Sequence, residues 1–222
     1  RHESMDDPIP LSPTDAIIKV DACSICGSDL HIYHGHGFSE DVGFCVGHGA
    51  VGEVVEVGRG VLRLKAGDKV MIPAAVGCGR CRACLSGVVN LCEFGLGSCY
   101  GLSARLQGSQ AEAVRVPAAD MNAVPIPDGV SMDQALMMTD ALATAWYGAR
   151  MADIRPGSSV AVIGLGPIGL MAVDSAFVMG AHVVYAIDPI AERRALAEAA
   201  GAIALHPDQA MDHIKEATKG RK

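Results

Sequence analysis

The chain has 222 residues, half of them hydrophobic and 19% charged, which is enough for a packed core in one large domain or two small ones and too apolar for wholesale disorder. Its net charge of −7 comes with no basic block, which argues against a nucleic-acid footprint, and no apolar run reaches membrane-spanning length. No signal peptide is recognisable. Four of the eight cysteines fall within 15 residues, a pattern of metal binding in a reducing compartment rather than of a disulfide framework, so a cytoplasmic protein is expected.

Residues 1–13 read as a loop, and TDAIIKVDAC (14–23) alternates like a strand. The next block, CSICGSDLHIYHGHG (23–37), holds Cys23, Cys26, Asp29, His31, His34 and His36. Its C-x-x-C is a redox pair, half a zinc site, or a turn after a strand with polar residues in solvent. In FCVGHGAVGEVVEVG (44–58), His48 stands between Gly47 and Gly49 ahead of an alternating apolar strand. A tight turn aims such a ring, either at a ligand or at a buried carbonyl. LKAGDKVMIPA (64–74) reads as turn then strand, and the close spacing of short strands predicts a compact β-rich domain over 14–125.

GCGRCRACLSGVVNLCEFG (77–95) places Cys78, Cys81, Cys84 and Cys92 at spacings of two, two and seven intervening residues. Tetrahedral zinc takes four thiolates from glycine-bearing turns of this kind, and a site with four protein ligands is closed and structural. An iron–sulfur cluster competes, but the fourth cysteine comes late and has no proline after it. Cys45 and Cys99 are expected to be small buried residues. Ser131 and Gln134 form a capping box that opens a helix over 132–151, and Asp140 within it is either an N-cap between two helices or a buried carboxylate that ligates metal. ADIRPG (152–157) is the hinge into the next strand.

SVAVI (159–163) is that strand, and Gly164, Gly166 and Gly169 then give G-x-G-x-x-G ahead of a helical segment running to Gly180. A second apolar run, HVVYAI (182–187), ends on Asp188, 19 residues beyond Gly169. This is the full setting of a dinucleotide fingerprint. Gly164 allows the tight exit, Gly166 the approach of a pyrophosphate, and Gly169 the close packing of the helix, with Pro167 and Ile168 completing the turn. Asp188 accepts ribose hydroxyls and repels a 2′-phosphate, favouring NAD over NADP, although Arg193 on the adenine side keeps NADP open. A helix (190–200), a short strand (203–206) and a last helix (208–219) make three strand–helix units, half of a doubly wound sheet.

Taken together, CGSDLH (26–31), GHGAVGEVVEVG (47–58), GDKV (67–70), the four-cysteine lobe, TDALAT (139–144) and GLGPIG (164–169) resemble the zinc-containing medium-chain alcohol dehydrogenases over nearly the whole chain. The resemblance implies an α/β protein with a GroES-like catalytic domain (1–152) and part of a Rossmann domain (153–222). It is nearest to the branch with aspartate as third zinc ligand, which includes secondary-alcohol and glutathione-independent formaldehyde dehydrogenases. It further implies two zincs per chain, one held by Cys26, His48 and Asp140 and one by the four-cysteine lobe. Ser28 and His31 would pass the substrate proton, Asp29 would lie behind the zinc histidine, and Thr144 would meet the nicotinamide. The implied reaction is hydride transfer between a secondary or small primary alcohol and NAD(P)+, in a homodimer or homotetramer with no nucleic-acid or membrane partner; the alternative is a non-catalytic nucleotide-binding member of the same fold.

Two departures bear on this. The family has glutamate straight after the zinc histidine, where this chain has Gly49, so weakened zinc binding is expected and Gly49→Glu should raise occupancy or rate. The length matches only part of the family, so the chain reads as a fragment whose SVAVI edge, left without a fourth strand, promotes association.

Overall fold

The protein, seen in a computed structural model, is described over residues 4–37, 39–94 and 99–220. Residues 1–3 of the expected N-terminal loop and Gly95 of the expected cysteine lobe lie outside that range. The chain divides into two compact units, residues 1–140 and 141–222.

In the first unit five strands form an antiparallel sheet: β1 (Ala16–Cys23), β2 (Ala50–Val57), β3 (Lys69–Ile72), β4 (Ala113–Val116) and β5 (Val124–Pro125), in the order β4-β1-β2-β3-β5. Alternation drives it. Ile18, Val54, Val70, Ile72 and Val116 turn inward onto Tyr100 and are essentially removed from water, each burial being worth about 1.5–3 kcal/mol. Tyr100 is sealed in this core, and burial pushes its phenol pKa far up.

The register decides where the functional residues emerge. Cys23 at the end of β1 pairs with Ala50 at the start of β2, and Ala50 also pairs with Ile72 near the end of β3. Cys26 follows β1 by three residues and His48 precedes β2 by two, so both lie at this end of the sheet. The helix α1 (Gly27–Tyr33) begins there, with Cys26 as its N-cap.

Among the described residues the remaining helices of this unit are α2 (Arg82–Leu85) and a 3-10 turn (Val89–Leu91) in the cysteine lobe, α3 (Ala119–Asn122) and α4 (Met132–Met138). The capping box opens α4 as expected: Gln134 N–H donates to Ser131 Oγ at 3.2 Å and Ser131 N–H to Gln134 Oε1 at 2.9 Å. The single helix expected over 132–151 is instead two. The first stops at Met138, and α5 (Ala141–Met151) resumes beyond Thr139 and Asp140. The Thr139 hydroxyl bonds back to the Leu136 carbonyl at 2.6 Å, the local bonding by which threonine competes with helix continuation. Ala74 N–H, just beyond β3, donates to the Thr139 carbonyl at 3.1 Å, fixing the break to the end of the sheet where Cys26 and His48 lie.

The second unit continues from α5 with β6 (Ser159–Ile163), α6 (Pro167–Val178), β7 (Val183–Ile187), α7 (Ala191–Ala199), β8 (Ile203–Leu205) and α8 (Pro207–Ala217). Its strands are parallel in the order β6-β7-β8. Val173 and Ala176 of α6 pack on Val184 and Ala186, while Ala210 and Ile214 of α8 cover Tyr185 and Leu205 on the opposite face. Among the described residues β6 pairs with β7 alone and forms one edge, with Ile163 83% exposed.

Candidate metal centre and nucleotide turn

The four cysteines of the lobe come together: one sulfur from each of Cys78, Cys81, Cys84 and Cys92 lies within 4.8 Å of the others. Backbone N–H groups point at them, from Arg80 and Cys81 to Cys78 Sγ (3.4 and 3.3 Å) and from Cys84 to Cys81 Sγ (3.4 Å). Donors of this kind favour thiolate, and N–H groups of Cys84 and Glu93 hold the Cys81 thiol below its ordinary pKa, whereas burial pushes Cys84 up to about 11. Four converging sulfurs with two opposed tendencies suit a divalent ion that stabilises all of them as thiolates. The lobe is anchored by Asn122, which is 2% exposed. Its Oδ1 accepts from Gly77 N–H at 3.0 Å, and its Nδ2 donates to the Gly77 and Pro117 carbonyls, each at 2.8 Å. The sequence reading missed Asn122, because its partner Gly77 lies 45 residues away.

The second cluster joins Cys26, His48 and Asp140, whose ligand atoms again lie within 4.8 Å of one another. Three separate segments deliver them: the N-cap of α1, the loop before β2 and the break between α4 and α5. Asp140 Oδ2 is 3.5 Å from His48 Nε2. Behind the ring, Asp29 Oδ1 is 3.7 Å from His48 Nδ1, and both atoms are buried without a hydrogen-bond partner. Asp29 is held by its other oxygen, which accepts from Cys26 N–H at 2.8 Å and Gln110 Nε2 at 3.3 Å. The hydrogen bond to Asp140, helped by Cys26 and Asp29 and opposed by burial, pushes His48 up to about 9. One thiol and two carboxylates around a single imidazole thus call for positive charge. A proton on His48 meets that demand where a zinc ion would, and a cation on Nε2 leaves Nδ1–H facing Asp29, the usual way a metal-binding histidine is oriented. The donor set therefore fits zinc.

Ser28 is half-buried next to this cluster, with Oγ 3.9 Å from Cys26 Sγ, and His31 is exposed one turn further along α1. Cys23 stands apart: its Sγ is 3.1 Å from Ser109 Oγ, and burial raises its pKa. Cys45 and Cys99, expected to be buried, are half-exposed. Among the described residues no metal-ligating group includes His34 or His36.

In the second unit Thr144 is exposed on the first turn of α5. The glycine turn has the form read from the sequence. Gly164 adopts φ +89°, Gly166 is the N-cap of α6, and Pro167 opens the helix. A Cβ on Gly169 would sit 1.8 Å from the Gly164 carbonyl oxygen, so the close approach is of helix to turn. A Cβ on Gly166 would meet nothing within 4 Å, which leaves open space before the N–H groups of the first helical turn. Asp188 is buried at the end of β7, and its Oδ2 and Oδ1 accept from the N–H groups of Leu165 and Ile190, each at 2.8 Å. These donors, with Arg193 Nη1 at 3.6 Å, hold its carboxyl below the usual range. Arg194, not singled out in the sequence, donates to the Asp188 carbonyl at 2.7 Å.

A model of the alcohol dehydrogenase GroES-like domain matches residues 12–128. The chain belongs to the zinc-containing medium-chain alcohol dehydrogenases. It is 43% identical over 222 residues to a probable zinc-binding alcohol dehydrogenase of Mycobacterium tuberculosis, a match covering all of this chain and 56% of that one. An alcohol dehydrogenase from Thermus sp. ATN1 superposes with a TM-score of 0.91 at 40% identity, over 98% of this chain and 64% of the other. A putative zinc-binding dehydrogenase from Sinorhizobium meliloti 1021, bound to NADP, gives 0.78 at 36% identity over 90% and 56% of the two chains. The chain thus spans a little over half of the first relative's length and under two thirds of these two structures.

The surroundings of Gly49 bear on its replacement by glutamate. Its φ is +75°, and a Cβ there would lie 2.5 Å from Thr139 Oγ1. A side chain at Gly49 is strained on this backbone and crowds Thr139, which works against the gain expected of Gly49→Glu.

Proposed function

We infer that the chain carries the catalytic metal site and the first half of the nucleotide-binding domain of a dehydrogenase that interconverts an alcohol, secondary or small primary, with its carbonyl compound using NAD. The observation that carries this reading is the convergence of Cys26, His48 and Asp140 from three segments, with Asp29 aligned behind the histidine. Zinc held by Cys26, His48 and Asp140 would supply Lewis acidity towards the substrate oxygen, and a bound nicotinamide would supply the hydride acceptor. Asp29 fixes the His48 tautomer so that Nε2 offers its lone pair. Ser28, beside Cys26, accepts the proton of the substrate hydroxyl in a hydrogen bond, and exposed His31, one turn along α1, passes it to water. Thr144 contacts the nicotinamide. Each Asp188 oxygen already accepts one N–H and keeps a lone pair for a ribose hydroxyl, while the same charge disfavours a 2′-phosphate.

No helix among the described residues is long and apolar enough to cross a membrane; we place the protein in the cytoplasm as a homo-oligomer acting on small molecules. The test is an NADH- and NADPH-linked assay of the complete protein over primary, secondary and polyol alcohols, together with zinc analysis. Turnover with some alcohol, lost in Cys26→Ser, is expected. Zinc only in the four-cysteine lobe, with no turnover on the whole panel, would refute the enzyme and favour a nucleotide-binding protein without catalysis.

A further inference from the structure

Each of the three candidate zinc ligands has a close sequence neighbour that coordinates nothing: Ser24 two residues before Cys26, Gly49 directly after His48, and Thr139 directly before Asp140. In the structure these three neighbours meet. Ser24 Oγ donates to the His48 carbonyl at 2.9 Å and lies 3.3 Å from the Gly49 carbonyl, which also accepts from Ser24 N–H at 3.2 Å. A Cβ on Gly49 would be 2.5 Å from Thr139 Oγ1, 3.3 Å from Thr139 Cβ and 3.3 Å from Ser24 Oγ. Thr139 cannot yield readily, because its hydroxyl is bonded to the Leu136 carbonyl and its own carbonyl to Ala74 N–H. The left-handed backbone at Gly49, φ +75°, lets the His48 loop press against both residues.

We propose that Ser24, Gly49 and Thr139 form a clasp that positions the three ligand-bearing segments on one another before any ion arrives. These are positioning residues and touch neither metal nor substrate. Without the clasp, an ion must gather three segments from distant parts of the chain and bear the entropy of ordering them. With it, the ordering is part of the fold, and the ion meets a set of donors already converged. Gly49 is central to the clasp, since in this chain a Cβ there would crowd the Thr139 hydroxyl, which is already bonded to Leu136.

The proposal rests on the reading that Cys26, His48 and Asp140 hold a metal, and the experiment separates the two. The unaltered chain and its Gly49→Ala, Ser24→Ala and Ser24→Thr variants are loaded with Co2+. Release to a chelator is then followed by the absorption of the thiolate-bound ion, and the four-cysteine site serves as the internal control. Gly49→Ala and Ser24→Ala are expected to speed release from the three-ligand site by about 10-fold or more, the scale of losing a residue that orients metal ligands. Both should shift its cobalt spectrum and leave the four-cysteine site unchanged. Ser24→Thr keeps the hydroxyl and should behave as the unaltered chain. If Gly49→Ala fails to fold, Ser24→Ala decides alone. Two bound ions with unaltered release and spectrum in Ser24→Ala would overturn the clasp. A parent chain that takes up cobalt only in the four-cysteine lobe would overturn the metal reading, and the clasp with it.

Discussion

Replacing Gly49 with glutamate tests the steric reasoning at the metal site most directly. A non-glycine residue at φ +75° carries left-handed backbone strain of about 1–2 kcal/mol. Its Cβ, 2.5 Å from Thr139 Oγ1, forces a buried repacking that costs about 1–3 kcal/mol. Together these reach about 2–5 kcal/mol, a large part of the roughly 5–15 kcal/mol that holds a domain folded. Thermal and urea unfolding of the complete chain should register this as a midpoint lower by roughly 5–15 °C. Zinc analysis of the same samples should show the ion lost from the three-ligand site before the four-cysteine site. A Gly49→Glu protein at least as stable as the parent, with equal or greater zinc content, would show that the left-handed turn and its contact with Thr139 are not as described.

Other expectations rest on single contacts. Asn122→Ala leaves the buried backbone of Gly77 without its partners and should cost about 1–3 kcal/mol, read by denaturation, with the cysteine lobe becoming the first site of proteolytic cleavage. Cys92→Ser should remove one zinc per chain by elemental analysis while the cobalt spectrum of the Cys26 site is retained. Because the native carboxyl of Asp188 titrates below its unfolded value, it contributes stability that is complete above the unfolded carboxylate pKa of about 4 and is lost as pH falls through the native one. Acid unfolding of the second unit should therefore begin below about pH 4 and be blunted in Asp188→Asn; identical acid profiles would refute the role of the Leu165 and Ile190 donors. An isolated 222-residue chain should associate through the β6 edge, and Ile163→Lys should reduce that association in light scattering.

Much of the structure was legible where local spacing carries it. The four cysteines, the glycine turn with Pro167 at the helix start, the acid closing β7 and the capping box at Ser131 each depend on neighbours a few residues apart. The second cluster needed more. Cys26, His48 and Asp140 were individually ambiguous, and only the resemblance to a family joined them; in the structure the pairing of Cys23 with Ala50 and the tie from Ala74 to Thr139 do so. What the sequence hid is the support around those ligands. Gln110 reaches Asp29 across 81 residues and Ser24 reaches the His48 carbonyl across 24, and neither residue has a motif of its own. The crowding at Gly49 was hidden for the same reason. A glycine in a familiar pattern shows which side chain is missing, while its backbone angle and the residue pressed against it belong to the tertiary structure.

The double grip of Asp188 on Leu165 and Ile190 has a practical meaning for anyone wishing to retune this protein towards a phosphorylated dinucleotide. The obvious edit, neutralising or shortening that acid, also unties Leu165 of the glycine turn and Ile190 at the start of α7, so any gain in selectivity would come with a slackened turn. Redesign should instead keep the acid and add positive charge beside Arg193, whose side chain is 46% exposed, because that route leaves both backbone tethers in place.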